Sequence, residues 1–239
     1  MLKKNNIKGL LFDYGGTIDT NGVHWAVVLW QYYRQLHIPV THEAFKEAYV
    51  HGERSLALYP LIKPKHSFYN VLLIKLQLQI NYLIEHKQLD ENARNENYSR
   101  KIARACYEQT RETIEQAKVT LELLSNNYPV VLVSNFYGNI NTVLKNFGIQ
   151  HYFKEIIESA VVGVRKPDPA IWTLGVNALG VEPDEVAVIG DSYTKDIISG
   201  KQAGCQTIWL DVSGWEKLED ISQADEIITN FTSLTNILS

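Results

Sequence analysis

Leu10-Leu11-Phe12-Asp13-Tyr14-Gly15-Gly16-Thr17-Ile18-Asp19 is a short apolar run that stops at a carboxylate and two glycines. A buried strand that gives way to a Gly-Gly turn holds such an Asp at its carboxyl end, where open α/β sheets form their ligand crevice. That position suits a nucleophile or a metal ligand. It also suits an Asp that only turns the chain, its ordinary role before Gly. Three later stretches bear on the choice.

From Pro129 onward the texture alternates between strands and helices. Residues 130–133, 155–158, 186–189, 207–210 and 226–229 read as strands. Residues 139–147, 169–179, 195–203 and 232–238 read as helices, the first two closed by Gly148 and Gly180. Strands separated by helices of this length imply right-handed βαβ units and a parallel sheet, which the first strand, residues 7–12, must join. Between Asp19 and that region the pattern is helical. Residues 23–37 are amphipathic, a second helix is capped by Thr41, residues 59–65 with Pro60 and Pro64 form a break, and residues 95–127 are helical with a break or bend before the next strand. Residues 67–89 carry both a strand-like alternation and a helical stripe through Leu73, Leu76, Ile80 and Leu83; their Leu, Lys and Gln content favours helix. The expected fold is α/β, a doubly wound Rossmann-like parallel sheet over residues 1–19 and 116–239 with an all-helical insertion over 20–115.

The 239 residues, 45% of them hydrophobic, are enough to bury a sizeable core. A formal charge of −4 without blocks of like charge gives no electrostatic support for nucleic-acid or anionic-membrane partners. No stretch approaches the roughly 20 apolar residues of a membrane span. Cys106 and Cys205 form no CxxC pair, and a reducing, cytoplasmic compartment is the simplest expectation. A small-molecule partner and a monomeric or homodimeric state complete these expectations.

Three strands end in functional groups: Asp13, then Ser134-Asn135, then Gly190-Asp191 with Ser192 and Asp196 following. A parallel sheet brings those ends to one edge. Lys166 joins them from the loop Gly163-Val164-Arg165-Lys166-Pro167-Asp168-Pro169. In this order the segments resemble the four motifs of the haloacid dehalogenase-like hydrolases, and the insertion lies where such proteins carry a helical cap. The resemblance implies Asp13 as a nucleophile that forms an aspartyl-phosphate. It implies Mg²⁺ held by Asp13, the Gly15 carbonyl and Asp191, and phosphate held by Gly16, Thr17, Ser134, Asn135 and Lys166. Ser134 and Lys166 would act with Asp13 in catalysis, and Asp196 would support Lys166 or metal-bound water.

One position departs from the family's phosphatases, which carry a second carboxylate two residues after the nucleophile; here it is Gly15. Its carbonyl can still bind a metal, but the acid that protonates an alkoxide leaving group is missing, and such groups typically contribute about 10²–10⁴-fold in rate. Asp19, His24 or His66 would have to replace it, or the leaving group needs no proton. The latter holds for phosphonatases, which use a cap lysine (here Lys46, Lys63 or Lys65 would be available), and for haloacid dehalogenases, which need no metal. A catalytically impaired domain that binds a phosphorylated ligand is a further reading. In the insertion, Trp25, Trp30, Tyr32, Tyr33, Tyr49, Tyr59, Phe68 and Tyr69 are expected mostly as packing residues. His24, Arg34 and Arg54 are the polar candidates for substrate contact.

Overall fold

The protein is described by a computed structural model that covers residues 1–94, 96–212 and 221–238. In chain order it contains β1 (Gly9–Phe12), four helices α1 (Trp25–Gln35), α2 (His42–Leu58), α3 (Phe68–Glu85) and α4 (Tyr98–Asn127), and then β2 (Val130–Ser134). There follow α5 (Ile140–Phe147), β3 (Glu155–Glu158), α6 (Ser159–Val162), α7 (Ala170–Leu179), β4 (Val186–Gly190), α8 (Ser199–Gln202), β5 (Gln206–Leu210), β6 (Glu226–Ile228) and α9 (Leu234–Leu238). The six strands form one sheet in the order β3-β2-β1-β4-β5-β6, all neighbours parallel.

The central strands are apolar on both faces because helices cover both. Leu10 and Phe12 enter one core layer with Val130, Leu132, Ala187 and Ile189, while Leu11 enters the other with Val131, Val133, Val186 and Val188. Leu10, Leu11 and Phe12 are all fully buried, and each such side chain contributes about 1.5–3 kcal/mol. This is why β1 reads as a continuous apolar run rather than an alternating one.

All four helices of the insertion lie between β1 and β2. Thr41 caps α2 by accepting the Ala44 N–H at 3.1 Å. Ser67 and Asn70 form a capping box on α3, with the Ser67 N–H donating to Asn70 Oδ1 at 3.0 Å. These caps settle the ambiguous 67–89 segment as helix. The buried face of α3 runs through Val71, Leu72, Leu76, Ile80 and Leu83, and it also includes Lys75 and Gln79.

The structure corrects three local expectations. The last helix of the insertion is not broken: α4 runs 30 residues without interruption and passes through residues 115 and 116. Its expected first residue, Asn95, lies outside the described residues. The 195–203 helix is a π-turn over Tyr193–Ile198 followed by the short α8, and β1 begins at Gly9 rather than residue 7. Among the described residues, no helix is long and apolar enough to cross a membrane.

Candidate active site

The carboxyl ends of β1, β2 and β4 meet on one edge, where the strand order turns back on either side of β1. Asp13 leaves β1 with its N–H bonded to the Ile189 carbonyl of β4 at 2.9 Å. Lys166, 3% exposed, places its ammonium 2.5 Å from Asp13 Oδ1 and 2.8 Å from Asp196 Oδ1. Its Nζ also lies 4.5 Å from the centre of the Trp172 ring. Thr17 is fully buried beneath the carboxylates: its hydroxyl oxygen is 3.0 Å from Asp13 Oδ2 and 3.2 Å from Asp191 Oδ1, and it accepts the Asp191 N–H at 3.1 Å. The second oxygen of Asp196 accepts the Ser192 N–H at 2.9 Å.

Two glycines make this crowding possible. A Cβ on Gly16, whose φ is +102°, would lie 2.4 Å from Asp191 Oδ2, and one on Gly190 would lie 2.4 Å from Asp196 Oδ2. Gly15 is different, since a Cβ there would meet nothing within 4 Å.

Oxygens of Asp13, Asp191 and Asp196 lie within 4.8 Å of one another. Among the described residues Lys166 is the one ammonium bonded to this group, so negative charge there is in excess. Burial lifts the Asp13 carboxyl to about 6 against the pull of Lys166. Burial and then the charges of Asp13 and Asp196 push Asp191 well above the usual carboxylate range. The charge on Lys166 survives its own burial because Asp13 and Asp196 hold its pKa above the ordinary value. An oxygen-rich cluster with unbalanced negative charge is the donor set a hard divalent cation requires. Asp196 has one oxygen on Lys166 and the other on the Ser192 backbone N–H.

Ser134, at the end of β2, lines the same cleft. Asn135 does too, yet its amide is engaged elsewhere: Nδ2 donates to the Lys166 carbonyl and Oδ1 accepts the Lys166 N–H, both at 3.0 Å. Asn135 thus fixes the backbone that carries Lys166. Asp19 accepts the Gly16 N–H at 2.7 Å and the Trp25 indole N–H at 3.0 Å, and burial raises its carboxyl to about 7.

The cleft, about 870 Å³, extends from this floor to the helical insertion. Of the polar candidates from the insertion, His24 lines it; Arg34 and Arg54 are exposed and do not. His24 accepts the Ala26 N–H through Nδ1, and burial, then the charge of Lys195, lowers its pKa to about 4. Trp25, Tyr49 and Phe68 also face the cleft, whereas Tyr33 is buried packing. Lys46, Lys63 and Lys65 are exposed and absent from the lining. The cleft lysine of the insertion is Lys75 instead, paired with Glu53 of α2 at 2.6 Å. Tyr137, from the loop after β2, donates its hydroxyl to Glu53 Oε2 at 3.1 Å.

Comparisons with known proteins bear on the family and the fold. The phosphoserine phosphatase of Thermus thermophilus is 32% identical over 93 residues, 39% of this chain and 34% of that protein. The chain thus spans about a third of the length of the first curated relatives it matches. A phosphoglycolate phosphatase of Yersinia pestis is 26% identical over 98% of this chain and 94% of its own. The HAD-hydrolase YfnB of Bacillus subtilis, solved with magnesium, superposes with a TM-score of 0.58 at 18% identity, covering 98% of this chain and 99% of its own. A family model described as haloacid dehalogenase-like hydrolase matches residues 7–204, which take in β1 with Asp13, the Ser134 and Lys166 loops, and the Asp191–Asp196 turn; the chain belongs to that family of hydrolases.

Proposed function

We propose that the protein is a Mg²⁺-dependent phosphohydrolase of small phosphorylated metabolites, working through an aspartyl-phosphate at Asp13. The observation that carries this reading is the pairing of Asp13 with Lys166 at 2.5 Å beside Asp191 and Asp196. A carboxylate stands next to a fixed positive charge that can receive phosphoryl oxygens. The phosphatase names of the relatives support a small phosphorylated substrate.

Asp13, Asp191 and the Gly15 carbonyl are the residues that would hold Mg²⁺. When bound, the ion supplies neutralising charge at the phosphoryl group and its reacting oxygens. The chain's own residues do the rest. One Asp13 oxygen attacks phosphorus and the bond to the leaving group breaks. The Lys166 ammonium and Ser134 hydroxyl hold the phosphoryl oxygens as charge moves onto them. Asn135 and Asp196 keep Lys166 in place. Water then displaces the Asp13 carboxylate and releases phosphate. In this reading residues 20–115 act as a cap that excludes water from a core of residues 1–19 and 116–239.

Imine chemistry on a phosphonate would need a neutral cap lysine. Lys75 does not suit it, because despite burial the charge of Glu53 holds its pKa well above the ordinary value. The test is a screen of phosphate esters, acyl phosphates and phosphonates with and without Mg²⁺, using Asp13→Asn as the blank. Phosphate release that requires both Mg²⁺ and Asp13 is expected. Halide release from a 2-haloacid without metal would replace this reading with dehalogenation.

A further inference from the structure

Ala57-Leu58-Tyr59-Pro60-Leu61, at the end of α2 and the start of its link to α3, are five consecutive apolar residues, all of them exposed. Leu58 is 75% exposed and Tyr59 60%. Four of the five, Ala57 to Pro60, line the cleft and form its mouth. Single apolar side chains on a surface need no explanation, but a contiguous run of them marks a place that meets an apolar partner. The run is not a lid left open, because the link that carries it is already tied to the start of α5. The Asn139 amide donates to the His66 carbonyl at 2.8 Å, and the Thr142 hydroxyl to the Pro64 carbonyl at 2.7 Å.

Behind the run the apolar surface continues to the phosphoryl end. Leu56, Ile62 and Val71 form one buried cluster, on which Phe136 and Tyr137 pack from the loop after β2. All five line the cleft, and Phe136 stands two residues after Ser134. An apolar track therefore leads from the end of β2 to the outside. No anion site interrupts it from the insertion. Among the described residues the insertion gives the cleft one charged cation, Lys75, and Glu53 holds it at 2.6 Å. Burial, having lowered the His24 pKa to about 4, leaves that ring neutral at pH 7. Arg165 and Lys195 also line the cleft, each next in sequence to a residue of the phosphoryl end, Lys166 and Asp196. A carboxylate lying along the track would give up water without a paired cation, which is costly, whereas hydrocarbon gains from the same walls.

Resting on the phosphohydrolase reading above, we propose that the phosphorylated substrate carries an uncharged, hydrocarbon-rich chain, which lies from Phe136 and Tyr137 along Leu56, Ile62 and Val71 and leaves over residues 57–61. The phosphoryl group stays with Asp13, Ser134 and Lys166, and the chemistry at phosphorus is the same whatever the chain. Leu58 and Tyr59 determine specificity, because they favour chains long enough to reach them. Short phosphorylated acids, such as those for which the phosphoglycolate and phosphoserine phosphatases are named, fill only the phosphoryl end.

Alkylphosphonates test this by binding alone, since they keep the phosphoryl end but have no ester oxygen to protonate or break. Calorimetric titrations with Mg²⁺ present would give Kd for inorganic phosphate, phosphonoacetate and the ethyl-, propyl-, butyl-, hexyl- and octylphosphonates, in the wild type and in Leu58→Ser/Tyr59→Ser. Both substituted side chains are exposed, so the double variant leaves the core intact. A fully buried methylene is worth about four-fold in affinity, and the gain from ethyl- to octylphosphonate is expected to reach at least about 30-fold. Propylphosphonate is expected to bind at least about ten-fold more tightly than phosphonoacetate, whose carboxylate finds no partner. The double variant is expected to lower the octyl-to-ethyl ratio about ten-fold while moving the butyl-to-ethyl ratio less, a length dependence that a general loss of structure would not produce. With inorganic phosphate still bound, equal affinity for ethyl- and octylphosphonate, phosphonoacetate binding as tightly as propylphosphonate, or an octyl-to-ethyl ratio unmoved in the double variant overturns this proposal alone. If neither inorganic phosphate nor any phosphonate binds, the phosphohydrolase reading falls and this one with it.

Discussion

The floor of the cleft gathers the carboxylates of Asp13, Asp191 and Asp196 around the ammonium of Lys166, whereas its helical wall pairs one carboxylate, Glu53, with one ammonium, Lys75. Asp13, Asp196, Lys166 and Lys75 are buried and Asp191 and Glu53 half-buried, and burial raises the energy of every charge it takes from water. On the wall the two charges answer each other: Lys75 is held above its ordinary pKa and Glu53 below its own, burial opposing both shifts. On the floor they do not, and Asp13 and Asp191 are pushed upward. A balanced pair can stand without a ligand. An unbalanced cluster of oxygens favours an added cation.

The comparison can be broken most decisively on the wall. Lys75→Met should destabilise the protein by about 1–3 kcal/mol, because it leaves the Glu53 charge, a third exposed, without its partner, and Glu53→Gln added to it should recover most of that loss. Denaturant titrations of the wild type and both variants would show it. A double variant no more stable than Lys75→Met would mean that the pair is not the balanced unit described.

The pH dependence of the two groups should have opposite signs. Asp13, shifted up from 3.8 to about 6, binds more protons folded than unfolded across that interval. In the chelated protein the stability of wild type relative to Asp13→Asn should therefore fall as pH rises from 4 to 6, by up to about 1.4 kcal/mol per pH unit. Glu53 is shifted down from 4.5, so its contribution relative to Glu53→Gln should be present above that pH and be lost as pH falls below it. Thermal melts at stepped pH check both slopes, and slopes of the same sign would refute the contrast.

A smaller effect sharpens the floor. At pH 8 with chelator, Asp191→Asn should raise stability by about 1 kcal/mol, since it removes one of the crowded like charges, and it should abolish the melting-temperature increase that Mg²⁺ gives the wild type. If Mg²⁺ stabilises Asp191→Asn and the wild type equally, Asp191 is not a ligand.

The floor was legible in the sequence and the wall was not, for a physical reason. Asp13, Ser134 and Asp191 each end a strand, so knowing that the sheet is parallel is enough to bring them to one edge. Lys166 and Asp196 follow from their places in the motifs. Glu53 and Lys75 meet only through the packing of α2 on α3, and Tyr137 reaches them only because the insertion folds over the loop after β2. A signal was present: a helix reading of residues 68–85 puts Lys75 and Gln79 on the stripe with Val71, Leu72 and Leu76, where charge is out of place. The strand-like alternation of the same segment hid it. The roles of Thr17 and Asn135 were hidden too, because both turn their polar groups to neighbours that sequence order does not reveal. The π-turn before α8 carries Asp196 against Gly190, a contact no periodicity encodes.

Helix α4 has no Gly or Pro from Tyr98 to Asn127 and extends for about 45 Å. It touches α1 and α3 along the insertion and α9 beside the sheet. One of the two chain crossings between insertion and sheet is therefore a stiff beam. The other crossing is a fastened turn, with the Gly22 N–H on the Gly16 carbonyl at 2.7 Å and the Thr20 hydroxyl on the Val23 carbonyl at 2.6 Å, so the insertion is moored to the sheet by one long rod and one short clasp.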